Sequence, residues 1–482
     1  MNYGYVRFIL GRILLLETAL LIPSLLISLI DKEDSRILLA LALSMGVTLM
    51  LGILLSFRAP LQTTFYAREG FVIVALAWIA LSLFGALPFV ISGAIPSMID
   101  AFFEMASGFT TTGASILTNV EAMPRSLLFW RSLTHLIGGM GVLVFVLAIM
   151  PRVGSAAVHI MKAEVPGPVF GKLLARVSNS ARVLYVIYLL MTAVLVILLV
   201  AGGMPLFDSF LHAFGAAGTG GFGIKNTSIA FYDSAYIEMV LAVAMILFGV
   251  NFNLYYLILI RQVKTALKNE ELRWYLGIIT ASVLVIAVSV ASFYDSLGLL
   301  LRDVFFTVSS IITTTGYVTA DFNRWPLIAQ MVLLLLMFVG AMSGSTGGGL
   351  KVTRVALLIK TGIQEIRRTI SPNRHTSLKF DGKSVDSQLQ RSINVYFMVY
   401  ALFFTFSLLF VSIHAPNFIT AFSAVAATFN NIGPGLDMVG PTSNYAGLSD
   451  LSKIVLSFAM IAGRLEILPV LILFSPRTWR KI

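Results

Sequence analysis

The chain alternates long apolar runs with short polar breaks. Runs at 8–30, 37–57, 71–92, 126–150, 183–202, 235–260, 274–293, 325–342, 392–413 and 451–474 approach or reach membrane-spanning length, which is roughly 20 apolar residues. They predict about ten membrane helices. Between some of them lie stretches too apolar for a surface loop but broken by Thr and Gly. One is SGFTTTGAS at 107–115, and a near copy, SIITTTGYV, stands at 310–318.

The copies are two of four. Asp100, Phe102 and Gly113 have the same spacing as Asp303, Phe305 and Gly316. Asp208, Phe210 and Gly221 fit the same ruler, and Thr420, Phe422 and Gly433 fit it more loosely. Internal repeats decide architecture. These predict four units, each an apolar helix, a short helix, a Gly/Thr/Asn loop and a returning helix. Asp and Thr are good N-caps, so the short helices are expected to begin at 100, 208, 303 and 420. The expected parts are a helix pair at 1–66 and repeats at 67–178, 179–268, 269–388 and 389–482. The expected fold class is an all-α integral membrane protein with four such repeats around one central pore.

Composition agrees with the pattern. The 482 residues are 58% hydrophobic and 12% charged, with mean hydropathy +0.90, against about 25% charged in soluble proteins. With the N-terminus inside, most of the 34 Lys and Arg fall on inner segments and most of the 23 acids outside. That is the positive-inside bias, so the net charge of +11 needs no nucleic-acid partner. Arg7, Arg12 and the following apolar run could open a signal peptide, but no small-residue cleavage site follows. Pro23 and DKEDSR at 31–36 suit a helix end, so 8–30 reads as an anchor. Cysteine is absent, which excludes disulfides, thiolate metal sites and a cysteine nucleophile.

Non-helical backbone at membrane depth must be buried in protein or line a water-filled cavity. Four hairpins of Thr, Gly and Asn converge most economically on one axis. A ring of backbone carbonyls can replace an ion's hydration shell. Glycine permits the backbone angles this needs, and the C-terminal ends of short helices carry partial negative charge that favours a cation. The competing class is a membrane-embedded enzyme or receptor. An enzyme needs asymmetric acid and base groups, which these loops lack, so the expectation is a transport protein and no enzyme.

These motifs resemble the Trk/Ktr/HKT superfamily of cation transporters, over essentially the whole chain. TTTGAS, GTGGFG, TTTGY and NNIGPG match its four filter loops. The resemblance implies one filter glycine per repeat, here Gly113, Gly221, Gly316 and Gly433. Carbonyls would come from Thr111 and Thr112, Thr219 and Gly220, Thr314 and Thr315, and Asn431 and Ile432. Members with serine at the first position tend to pass sodium, so Gly113 implies potassium. The fourth loop departs from the Thr-Gly pattern, with Asn431 and Ile432 before its glycine. The resemblance further implies potassium uptake across a bacterial inner membrane, with both termini cytoplasmic. It implies a homodimer and a cytosolic nucleotide-binding ring of the TrkA type, with ATP/ADP or NAD only on that partner and no cofactor in this chain. Channel-like conduction and sodium- or proton-coupled symport both remain open.

Other features are weighed singly. GAMSGSTGGGLK at 340–351 puts five glycines into the third returning helix. As a phosphate loop it fails, because Leu350 occupies the position of Lys. It reads as a helix kink or as a mobile loop below the filter. The family carries a pore-obstructing loop here, implying a gate of Gly344, Ser345, Thr346, Gly347, Gly348 and Gly349. Arg464, amid AMIAGRLEILP, reads as half of an interhelical ion pair or as a fixed charge by the ion path, since buried charges usually face an interior or water; the family has such an arginine. Glu466 lies on another face. Glu17 reads as a packing or dimer contact. Histidines 135, 159, 212, 375 and 414 show no ligand spacing. The polar stretch 360–388 is either a solvated linker or a docking surface for a regulator.

Overall fold

The computed structural model describes residues 1–58, 67–141, 177–371 and 377–480. Residues 142–150 of the 126–150 run, His159 and His375 fall outside them. An N-terminal hairpin, Tyr3–Ile30 with Ser35–Ser56, precedes four units of one plan. Their leading helices are Ala67–Gly85, Val177–Ala201, Glu270–Val290 and Ser387–Ser412. Their short helices are Met98–Phe109, Leu206–Gly218, Leu297–Ile312 and Phe418–Phe429. Among the described residues six helices are long and apolar enough to cross a membrane, or seven if one bent pair is counted as one span.

The short helices begin earlier than their Asp or Thr suggests. Ser97 and Asn417 are the N-caps of the first and fourth, accepting from the backbone N–H of Asp100 and Thr420. Asp100, Asp208 and Thr420 therefore stand in the third helical position. Asp303 lies farther inside Leu297–Ile312. A carboxylate in the first turn complements the helix dipole as well as a cap does, so composition alone could not separate the positions. The ruler residues tie the short helices to their surroundings. Asp100 meets Lys453 Nζ at 2.6 Å, Asp208 accepts from Tyr232 at 2.7 Å, and Thr420 donates to Asp437 at 2.6 Å.

The returning helices also depart from expectation, for none of the three whose continuation is described is a single rod. Run 235–260 is two helices, Ala235–Phe248 and Phe252–Leu259, bent by 90°. Run 451–474 is Asp450–Arg464 and Leu468–Leu473, with Glu466 and Ile467 at positive φ between them. The third breaks widest, from Leu327–Val339 through 340–351 to Val352–Ile370. Arg125–Gly139, in the first unit, ends at Gly139.

The packing is cyclic. The second, third and fourth short helices pack on the returning helices of the first, second and third units, and the first packs on that of the fourth. The N-terminal hairpin joins the outside of this ring against the first unit.

Candidate functional site

The four short helices end alike. Thr112 N–H bonds Ser107 O and Thr111 N–H bonds Gly108 O, at 2.8 and 3.1 Å. The pairs Thr315–Ser310 and Thr314–Ile311, then Ile432–Ala427 and Asn431–Thr428, repeat this at 2.8–3.1 Å, and Gly220–Gly215 with Thr219–Ala216 does so at 2.8 and 3.2 Å. This is the Schellman closure, which puts one residue in the left-handed region. That residue is Thr111 (φ 54°), Thr219 (55°), Thr314 (61°) and Asn431 (58°). Left-handed backbone costs a non-glycine residue about 1–2 kcal/mol. Four such residues mark loops whose shape is fixed by their surroundings. Two residues on stands Gly113 (81°), Gly221 (69°), Gly316 (83°) or Gly433 (98°).

The loops meet in a closed ring. A Cβ on Gly113 would lie 2.0 Å from Gly220 O, one on Gly221 1.9 Å from Thr315 O, and one on Gly316 2.0 Å from Ile432 O. One on Gly433 would lie 2.8 Å from Thr112 O, back in the first loop. Each glycine thus lies flat against the carbonyl that precedes the next glycine. All twelve residues assigned from sequence lie together here, the fourth loop included. Thr112 and Thr315 turn their hydroxyls back onto Thr110 and Thr313 at 2.7 and 2.8 Å. The hydroxyls of Thr112, Thr315 and Thr219 are thus occupied, the last by Gly218 O, whereas Thr111 Oγ1 has no partner among the described residues. Among the described residues, none of the carbonyls of Thr111, Thr112, Thr219, Gly220, Thr314, Thr315, Asn431 and Ile432 receives a hydrogen bond.

The residues that follow the four glycines line one cavity of about 190 Å³, with the glycines at its floor. The side that precedes them is covered by 344–349. Gly348 N–H donates to Thr314 Oγ1 at 2.7 Å, and a Cβ on Gly348 would lie 2.3 Å from Asn430 O. Arg464 ties this segment down: Nη1 donates to Thr346 O (2.6 Å), and Nη2 to Gly138 O (2.7 Å) and Gly139 O (2.6 Å). Gly344 O accepts from Phe252 N–H at 3.1 Å, Ser345 Oγ bonds Met342 O, and Gly349 takes φ 75°. The segment is therefore an ordered loop rather than a helix kink. Glu466 pairs with Arg354 at 2.6 Å.

Several residues escaped the sequence reading. Buried Lys351 bonds Gly347 O, and Glu271 accepts from Ser343 N–H at 2.6 Å. Tyr445 bridges the seam between loops four and one, bonding Gly433 O (2.7 Å) and, through its N–H, Ser115 O (2.8 Å). Asn431 Nδ2 donates across that seam to Thr112 Oγ1 at 2.9 Å. Lys351 ends the glycine run and Glu271 opens an apolar run; those positions were the available signals. His135 stacks on Phe222 at 4.2 Å, and His212 bonds Tyr232 at 3.1 Å. Glu17 is buried in the first helix.

A polytopic helical membrane protein of fourfold pseudo-symmetry is the class these features define. The family model TrkH, a cation transport protein, matches residues 40–481. The chain is 38% identical over 421 residues to the Trk system potassium uptake protein TrkH of Salmonella typhimurium, covering 86% of both chains. It is 35% identical to the TrkH of Halomonas elongata over the full length of both. Its fold matches the crystal structure of the potassium transporter TrkH from Vibrio parahaemolyticus with TM-score 0.89, at 31% identity over the whole of both chains. The chain belongs to the TrkH family of cation transport proteins and is a transport protein rather than an enzyme.

Proposed function

We propose that the chain takes up potassium through the ring of loops, and that residues 344–349 with Arg464 gate it. One observation carries this reading: eight buried backbone carbonyls, two from each loop, accept nothing from the protein among the described residues. Buried carbonyls are nearly always paired. Two tiers of four carbonyls offer a dehydrated cation the oxygens it lost. The C-terminal ends of four short helices point their partial negative charge at the same place.

A potassium ion enters through the cavity above Gly113, Gly221, Gly316 and Gly433. It exchanges water for carbonyls and leaves on the side of Gly347. There the loop obstructs the path, and the Arg464 guanidinium opposes the cation. At 6 Å and an effective dielectric of 20, unit charges repel by roughly 3 kcal/mol. That slows passage without closing it, so the loop supplies the steric part. The names of the relatives support potassium as the ion.

The 1–66 helix pair and the four repeats at 67–178, 179–268, 269–388 and 389–482 are the working parts of this reading. It places the protein in a bacterial inner membrane with both termini cytoplasmic. It pairs the protein as a homodimer and places a nucleotide-binding ring on the basic inner face. The test is ⁸⁶Rb⁺ uptake into proteoliposomes, competed by K⁺ or Na⁺, with and without an imposed potential. Competition by K⁺ well below the Na⁺ concentration, with uptake following the potential, is expected of an uncoupled filter. Equal competition by both ions overturns the potassium assignment, and uptake that demands a Na⁺ or H⁺ gradient overturns the uncoupled mechanism.

A further inference from the structure

The seams between loops are not held alike. Loops two and three are joined by the Tyr317 hydroxyl, which donates to His212 O at 2.9 Å. Loops four and one are joined by Tyr445 and Asn431. These are neutral hydrogen bonds. Loops one and two are joined by a buried ion pair. Arg131, on the first returning helix, meets Glu104, on the first short helix, at 2.6 Å; the side chains are 2% and 0% exposed.

Each partner grips one loop just beyond its glycine. Glu104 Oε1 accepts from Ser115 Oγ and Oε2 from Ile116 N–H, both at 2.9 Å. Those residues leave the first loop two and three positions after Gly113. Arg131 Nη1 donates to Gly223 O at 2.9 Å, and the guanidinium carbon lies 3.4 Å from the Phe222 ring centroid. Those residues leave the second loop one and two positions after Gly221. The pair therefore bridges the limbs of the two loops that meet where Gly113 abuts Gly220 O. Arg131 also lines the cavity that the four glycines floor.

Stability is a poor reason for such a pair, since desolvating two charges rivals their attraction, and fixing register is the better-attested use of a buried polar group. A guanidinium beside a cation's path would also repel the cation unless a carboxylate balanced it. Both considerations point to the filter.

We propose that Glu104 and Arg131 are positioning residues for ion selectivity. They set the spacing of the first two loops and keep the outer cavity free of unbalanced positive charge. This rests on the filter reading above. Glu104→Gln keeps the side chain's shape but leaves Arg131 uncompensated, so it loosens the seam and slows cation entry. Arg131→Lys keeps the charge but loses the planar fork that holds Glu104 and Gly223 together, so it changes selectivity more than rate. Lys453 and Asp100 provide the control. They too join the first short helix to a returning helix, at 2.6 Å, but at the end of that helix far from the loop.

The experiment is ⁸⁶Rb⁺ uptake into proteoliposomes competed by K⁺ or Na⁺, with Tm measured in parallel. The parent is expected to prefer K⁺. Glu104→Gln and Arg131→Lys should each reduce that preference at least fivefold, whereas Asp100→Asn should lower Tm and keep the parent's preference. If Glu104→Gln and Arg131→Lys lower Tm with K⁺ preference intact, the pair is structural only and the proposal fails. Should either variant not assemble, Ser115→Ala removes one hydroxyl from the Glu104 grip. A reduced K⁺ preference there supports the proposal, and an unchanged one overturns it. A parent that does not distinguish K⁺ from Na⁺ overturns the filter reading itself, and this proposal with it.

Discussion

Above the level of Thr111 and its counterparts, the four units are copies: the same Schellman closure, the same left-handed residue, the same glycine against the next carbonyl. Below that level the resemblance ends. The second returning helix bends by 90°, the third opens into 340–351, and the fourth breaks at 465–467. The upper region is held by backbone hydrogen bonds and glycine contacts, with one charged pair, Glu104 and Arg131, at the seam of loops one and two. The lower is held by cationic side chains on carbonyls, namely Arg464 on Thr346, Gly138 and Gly139, and Lys351 on Gly347. A symmetric cation site needs equal oxygens and therefore equal backbones. An obstruction needs only one segment, and charge-assisted bonds to a loop can be exchanged without unfolding it. Selectivity and gating would thus reside in regions that can be altered separately.

The strongest test of that separation is in the lower region. Deleting Gly347–Gly349 or making Arg464→Ala should speed ⁸⁶Rb⁺ uptake, the second by up to about a hundredfold if a repulsion of roughly 3 kcal/mol is relieved. Potassium preference should be retained, since the backbone closures and carbonyls of the ring remain and the deletion takes from it only the Gly348 N–H bond to Thr314 Oγ1. Arg464→Ala also leaves three carbonyls without their donor, so Arg464→Lys, which keeps the charge, should stay near the parent rate. If deletion and Arg464→Ala both assemble and conduct at or below the parent rate, the two-part gate must be abandoned.

Gly113→Ser strikes the upper region. The Cβ would lie 2.0 Å from Gly220 O, so the first seam must widen, and the residue must keep φ near 81°, where side chains are strained. The expected result is a fall of about tenfold in K⁺ preference over Na⁺, corresponding to about 1.4 kcal/mol of discrimination, with little change in the voltage response. An unchanged permeability ratio in a folded variant would remove Gly113 from the filter.

The two regions were not equally legible in the sequence. The ring could be read because its signal is local and repeated: a fixed spacing to Gly113, Gly221, Gly316 and Gly433. Asn431 at the left-handed position of the fourth loop also fits, because Asn tolerates that region where most side chains do not. The starts of the first two short helices differ from the expectation because an acid in the first turn and an N-cap satisfy the same helix end, whereas Asp303 lies well inside Leu297–Ile312 and Thr420 is capped by Asn417. The breaks in 235–260 and 451–474 were hidden because hydropathy reports residence in a membrane and is blind to helix continuity. Gly138 and Gly463 show what could have been sought. A Cβ on either would lie 1.9 Å from the last carbonyl of a short helix, Phe109 O or Phe429 O, so both mark close passage beside the ring. Glu271 and Arg464 could not be paired in advance, because their partners Ser343 and Thr346 lie 72 and 118 positions away.

The smallest expected effect extends the comparison to the inner surface. Arg367, Arg368 and Lys379 are exposed, the first two at the end of the helix that follows the gate loop. Residues 377–386 do not behave as a solvated linker. Lys379–Phe380 pairs with Lys383–Ser384, and Leu378 and Phe380 pack on Leu357 and Ile393. Asp381 Oδ1 accepts from Glu270 N–H at 2.6 Å, and Glu270 bonds Lys360. The next residue, Glu271, holds Ser343 of the 340–351 segment. A partner bound at this hairpin would therefore touch the lower region two residues from the loop and the upper region nowhere. Exposed charges contribute only about 0.2–1 kcal/mol each, so neutralising all three should weaken copurification of a soluble nucleotide-binding partner by about fivefold at low salt and less at high salt. Potassium preference should not change. Undiminished capture by the triple variant would move the docking surface elsewhere, and a change in ion preference would mean that the two regions are coupled after all.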